Sequence, residues 1–218
     1  VGVTAPAGAA VLPRWRTTPA RLARLLFGLW LFGAGEALVV RSRLGAAPWT
    51  VFAEGVSRVS PVSIGVATQL TGLTLLLLWI PLRERPGLGT VLNVVVIGIA
   101  LDATLLLVAV PPAAGARAAL LVAGIALIGL GSGFYLGAAH GPGPRDGLMT
   151  GLHRRTGLPV LAVRAAIELT VLGLGWALGG TAGVGTLAFA VLIGPAVSLG
   201  LALTGAGSGQ GRNAAPSA

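Results

Sequence analysis

Six apolar runs, each near 20 residues, constrain this chain more than any other feature of it. They fall at about 22–40, 62–80, 90–110, 118–139, 158–178 and 185–203. A helix needs about 20 apolar residues to cross a bilayer's hydrocarbon, and lipid leaves no partner for backbone groups outside helices or closed barrels. Apolar residues make up 55% of the chain and charged residues 10%. A soluble domain carries about 25% charged residues, so a soluble enzyme is excluded. The predicted class is all-α: a polytopic membrane protein with six transmembrane helices. Residues 1–20 read as a cytoplasmic N-terminal tail, 21–203 as the six-helix membrane domain, and 204–218, rich in Gly and Ser, as a disordered C-terminal tail.

All 15 basic residues are arginine, against six acidic residues, for a net charge of +9. The arginines sit mainly beside the apolar runs, where they set topology and meet anionic lipid headgroups. With the N-terminus inside, Arg14, Arg16, Arg21, Arg24, Arg83, Arg85, Arg145, Arg154, Arg155 and Arg212 face the cytoplasm. Only Arg41, Arg43, Arg58 and Arg117 face outward, which predicts both termini in the cytoplasm. No basic face with interleaved aromatics exists, so nucleic acid is not an expected partner. The chain has no cysteine. That excludes disulfides, thiolate chemistry and cysteine metal sites.

Shifted by 96 positions, the two halves align without a gap. Gly33 and Gly35 fall on Gly129 and Gly131, Gly45 on Gly141, Pro48 on Pro144, Gly55 on Gly151, and Arg58 on Arg154. Leu73-Thr74 falls on Leu169-Thr170, and Gly87-Leu88-Gly89-Thr90 on Gly183-Val184-Gly185-Thr186. Three spans per half make the second copy insert upside down, so repeat one (about 21–110) and repeat two (about 117–203) form two inverted three-helix repeats. The match of the first run to an interior one also argues against a cleaved signal peptide.

Between the spans of each half lies a short matched segment, 48–59 and 144–155. Each opens on proline, which suits the first turn of a helix, and each is too short to cross. They can lie on the interface or dip into the bundle. In inverted-repeat carriers, broken segments at matching positions point to the substrate path. In the second copy Arg145 and free N–H groups can hold an anion, or Arg145 can pair with Asp146 or a lipid phosphate. Two separated histidines, His140 and His153, make no metal site.

Glu36, Asp102, Arg164 and Glu168 sit within apolar runs. Such charges are costly and face the bundle interior or a water-filled path. Arg164 and Glu168 are four apart and share a helix face. The candidate substrate-binding residues are therefore Arg164, Glu168, Asp102, Glu36, Arg145 and Asp146; a structural charge network is the other reading. Gly129, Gly133 and Gly137 line one face, and Gly194, Ser198 and Ala202 another, at a spacing that allows close helix packing or dimerisation. Pro195 is expected to kink its span. Trp15, Trp30, Trp49, Trp79 and Trp176 fall near span ends, as interfacial anchors do.

Several of these segments together resemble the YczE/YitT-like family of bacterial integral membrane proteins. They are Gly143-Pro144-Arg145-Asp146-Gly147-Leu148-Met149, Arg154-Arg155-Thr156-Gly157 and Ile167-Glu168-Leu169-Thr170 in the second half. In the first half they are Ala47-Pro48-Trp49, Ser63-Ile64-Gly65, Trp79-Ile80-Pro81-Leu82-Arg83 and Arg85-Pro86-Gly87-Leu88-Gly89-Thr90. The resemblance covers residues 20–203 and implies a bacterial inner-membrane protein, with no agreed substrate or catalytic residue. The stretch Gly45-Ala46-Ala47-Pro48-Trp49-Thr50 departs from the expected Gly-x-Gly-Pro-Trp-Asp, which removes an acidic residue from position 50.

The expected function is a small-solute carrier or exporter built on the inverted repeat, handling a small, anionic solute. The alternative is a non-transporting scaffold or regulator acting through a partner membrane protein or a homodimer. No enzyme is expected: there is no paired-carboxylate metal motif and no nucleophile beside a base. Asp146-Gly147 is only a fragment of a lipid-headgroup transferase motif. No cofactor or metal is expected.

Overall fold

The computed structural model describes residues 15–206, so most of the two predicted tails (1–20 and 204–218) lies outside the described residues. The described chain is eight helices, with no strand among them. These are α1 (Pro19–Ser42), α2 (Pro48–Val59), α3 (Ile64–Leu82), α4 (Leu88–Leu107), α5 (Ala114–Gly137), α6 (Pro144–Thr156), α7 (Val160–Ala177) and α8 (Val184–Leu203). All but α2 and α6 are long and apolar enough to cross a membrane. Their bounds lie within four residues of those expected.

Local chemistry explains where the helices begin and end. Thr18 caps α1, accepting from the Arg21 N–H at 3.4 Å, with Pro19 in the first turn. Proline likewise opens α2 and α6, where its missing N–H costs nothing. At α4 the Gly87 N–H donates to Thr90 Oγ1 at 3.1 Å, and at α8 the Gly183 N–H donates to Thr186 Oγ1 at 3.2 Å. Arginines close two helix C-termini: Arg24 donates to Thr204 O at 2.7 Å and Arg41 donates to Leu105 O, a favourable place for a cation. The first contact also puts the start of α1 and the end of α8 at the same end of the bundle.

The centre is a crossing of α1 and α5 on glycine. A Cβ at Gly28 would lie 2.7 Å from Gly131 O, and one at Gly35 would lie 2.6 Å from Gly124 O. Only glycine lets the backbones approach this closely. Shifting by 96 turns the first contact into the second. The same shift relates contacts at opposite ends. The Gly89 N–H donates to His140 O at 3.0 Å, and the Gly185 N–H donates to Leu44 O at 2.7 Å. Gly45 and Gly141 precede the two short helices with φ of 116° and 108°, values that favour glycine.

Around this crossing, α4 packs on α1 and α8 packs on α5. Gly129 and Gly133 face Ala196 and Gly200 of α8. That face of α5 is thus filled within the chain and does not offer itself for dimerisation. Gly194, Ser198 and Ala202 turn away from α5 and are exposed, contrary to the expected packing role. The reason is register: α8 presents 196 and 200, not 194 and 198, to its neighbour. Helix α8 runs on through Pro195.

Candidate functional site

The two short helices point inward. Successive turns of α6 meet later positions of α3: Gly147 abuts Trp79, Gly151 abuts Leu82, and Arg154 pairs with Glu84 in the loop beyond. The first turn of α6 is therefore the deepest. Helix α2 is held against α7 in the same sense at the other end, through Gly55 on Gly175 and Arg58 on Thr181. The N-terminal turns of the two meet inside the bundle, where the Arg145 guanidinium lies 5.3 Å from the centre of the Trp49 ring. Trp49 and Arg145 are 96 residues apart, so two positions matched by that offset touch each other.

A cavity of about 920 Å³ surrounds this meeting point. Its lining takes residues 96 apart together: Phe32 with Ile128, Glu36 with Ser132, Pro48 with Pro144, Thr68 with Arg164, and Gly72 with Glu168. Most of the wall is apolar, and the charge gathers where α1, α6 and α7 converge.

Five of the six candidate residues expected from sequence line this cavity. Arg164 Nε donates to Glu168 Oε1 at 2.9 Å, as their spacing suggested. Glu36 is 2% exposed, inside the bundle. Its Oε1 accepts from Thr50 Oγ1 at 3.3 Å and lies 3.8 Å from Arg145. Arg145 thus reaches both Glu36 and Trp49. Asp146 faces the cavity beside it. Asp102 stands apart: Oδ1 accepts from the Gly65 N–H at 2.8 Å and Oδ2 accepts from Ser63 Oγ. It caps the first turn of α3, a structural task that consumes both oxygens.

Two polar atoms at the cavity have no hydrogen-bond partner among the described residues: Glu36 Oε2 and Trp49 Nε1. Both side chains are buried, Trp49 at 7% exposure. Trp49 and Trp79 are accordingly not interfacial anchors. Trp79 is 1% exposed, and its Nε1 donates to Pro144 O at 3.0 Å, fixing the entry of α6. Trp15, Trp30 and Trp176 are exposed, as anchors are.

Sequence reasoning missed Trp49 and Thr50 as site residues. The 96-residue offset was the available signal, since it places them on Arg145 and Asp146. It also missed Glu54, which accepts from Arg58, the Thr181 N–H and Thr181 Oγ1, each at 2.8 Å. A carboxylate four residues before an arginine on a one-sided helix was the signal there. Among the described residues no cluster of three or more metal-ligating side chains occurs.

The model of a family of unknown function, DUF6198, matches residues 19–201. An uncharacterized protein of Haemophilus influenzae is 40% identical over 183 residues, covering 84% of each chain. The uncharacterized membrane protein YczE of Bacillus subtilis is 34% identical over 187 residues, covering 83% of this chain and 82% of its own. No solved structure matches. With six helices apolar enough to cross a membrane and these relatives over most of its length, the chain belongs to the DUF6198 family of YczE-like membrane proteins.

Proposed function

We propose that this protein is a non-enzymatic carrier or exporter of a small solute in the bacterial inner membrane, built on two inverted repeats, with both termini on the cytoplasmic side. The observation that carries the reading is the central cavity, lined by residue pairs 96 apart and flanked by two inward-pointing half-helices. In inverted-repeat carriers the binding site lies at the repeat interface, beside broken helices. The arginine balance supports the orientation.

Three carboxylates (Glu36, Asp146, Glu168) and two guanidiniums (Arg145, Arg164) line the cavity, so it offers a charged solute partners of both signs. In the scaffold reading the α5 glycine face is taken by α8, which leaves the exposed Gly194, Ser198 and Ala202 face for a partner.

Alternating access requires two arrangements that the repeat makes equivalent. In this one, α3 is packed along α4, whereas α7 does not pack along α8. The carrier must also visit the mirror arrangement, with α7 closed on α8 and α3 released. Paired cysteines test this directly, since the chain has none of its own. A Cβ at Gly72 would lie 3.4 Å from Val94 Cβ, close to disulfide geometry. Gly72→Cys with Val94→Cys should cross-link readily. The counterpart pair, Glu168→Cys with Ala190→Cys, should cross-link more slowly, and not at all once the first bridge has formed. If the second pair never forms, or forms regardless of the first, the two-state carrier fails.

A further inference from the structure

The wall of the cavity is open on one side. Leu169 of α7 and Leu187 of α8 line the cavity and are yet 68% and 71% exposed. The helices that carry them do not pack along each other. Between them, Gly194 also lines the cavity, and a Cβ there would meet nothing within 4 Å. Leu169 and Gly194 sit near the middle of their helices. An opening at mid-span faces hydrocarbon, not water.

The inner end has the opposite character. Glu36 Oε2 is a buried carboxylate oxygen without a donor, and Trp49 Nε1–H is a buried donor without an acceptor. Groups left this way are costly unless something satisfies them. Arg145 lines the cavity beside both, at 3.8 Å from Glu36, with its side chain 30% exposed. A cationic donor answers Glu36, and an anionic acceptor answers Trp49 Nε1–H and Arg145. The Arg164–Glu168 pair on α7 also lines the cavity.

We propose that the cavity takes a single-chain zwitterionic amphiphile from the membrane through the gap between α7 and α8, placing its ammonium on Glu36 and its anionic group on Arg145 and Trp49. The apolar wall formed by Leu169, Leu172, Ala190 and Ile193 then holds the first part of the chain, and the remainder stays in lipid. The volume of about 920 Å³ suits a head group with part of a chain better than a solute of a few atoms. This inference rests on the carrier reading and names the substrate class of the same site.

The test uses the full chain in phosphatidylcholine nanodiscs with three probes. Lysophosphatidylethanolamine has the ammonium, the phosphate and the chain. Lysophosphatidic acid lacks the ammonium. Phosphoethanolamine lacks the chain. The first should bind at least about tenfold tighter than either of the others, the scale of one charged hydrogen bond or a few buried methylenes. Glu36→Gln should weaken it to the level of lysophosphatidic acid, whose own binding should not weaken. Gly194→Phe adds a ring where no atom crowds the Cβ, so the chain should fold and lose the same probe about tenfold by obstruction of the opening.

If phosphoethanolamine binds as tightly as its lyso-lipid, in a Glu36-dependent way, the solute is water-soluble. The amphiphile is then overturned while the carrier reading stands. If the lyso-lipid binds as expected but never crosses the bilayer in proteoliposomes, the site assignment stands and the carrier reading falls. Binding that ignores both substitutions, or no binding of any probe, overturns the proposal.

Discussion

Helices α3 and α4 close on each other, and their repeat counterparts α7 and α8 do not. The two pairs differ at a handful of matched positions. Gly65 and Gly98 bring α3 and α4 into backbone contact, Gly72 receives Val94, and Gln69 Nε2 donates to Val95 O at 2.9 Å. The corresponding residues of α7 are Leu161, Glu168 and Ala165. A leucine and an ion-paired glutamate stand where α3 has two glycines. Asp102 reaches across from α4 to cap α3; its counterpart on α8 is Ser198, which is too short to do the same for α7. Steric bulk and a missing cap favour the open state of the second pair in this arrangement, so closing α7 on α8 costs more than closing α3 on α4. The lesson is that one architecture can hold a sealed wall and an opening at symmetry-matched places, through a few side chains.

The largest effect expected from this comparison is at Gly98 and Gly194, residues at matched positions in the two pairs. A Cβ at Gly98 would lie 2.5 Å from Gln69 Cγ and from Gly65 O, whereas one at Gly194 meets nothing within 4 Å. Gly98→Val should destabilise the protein by about 3 kcal/mol, the upper range for overpacking. Gly194→Val should change stability by less than about 0.5 kcal/mol, as open positions do. Thermal unfolding in a single detergent reads both, and equal losses would mean that the two walls are alike.

Next comes the cap. Asp102→Ala strands the Gly65 N–H and the Ser63 hydroxyl, and should cost about 1–2 kcal/mol. Ser198→Ala, on the exposed face of α8, should be close to neutral. A measurable loss at Ser198 would show that α7 and α8 also meet.

These differences mark how far the sequence could be read. Spans, short helices and the 96-residue offset were legible because they depend on composition and on proline and glycine at turns. The direction of a side chain between helices was not. Asp102 looked like a site residue because an intramembrane carboxylate usually is one; only the approach of Gly65 to Gly98 shows that it is a cap. Trp79 looked like an anchor near a span end, but α6 folds back over it and Gly147 makes room for its ring. Arg145 was legible as a candidate that lines the cavity, while its neighbour Trp49 was not, because their contact joins two helices that start 96 residues apart. Position and chemistry could be read, and partners across the bundle required the packing.

The smallest expected effect lies at the two ends, where the short helices are tied to the loops. Arg58 and Arg154 are matched positions, yet each finds its acid in a different place. Arg58 pairs with Glu54 on its own helix at 2.8 Å, and Glu54 also takes two hydrogen bonds from Thr181 in the loop between α7 and α8. Arg154 pairs with Glu84 of the loop between α3 and α4. The two carboxylates are 7% and 13% exposed and their arginines 46% and 55%, so the pairs differ chiefly in the two added bonds from Thr181. A carboxylate with several such bonds is worth more than a single ion pair to a half-exposed arginine, which contributes about 0–1 kcal/mol. Glu54→Gln should therefore cost about 1–2 kcal/mol, since the amide loses the charge-assisted bonds. Glu84→Gln should cost less than about 1 kcal/mol and fade further with added salt. If the order were reversed, the end of the bundle beside the closed α3–α4 pair would be the more firmly held.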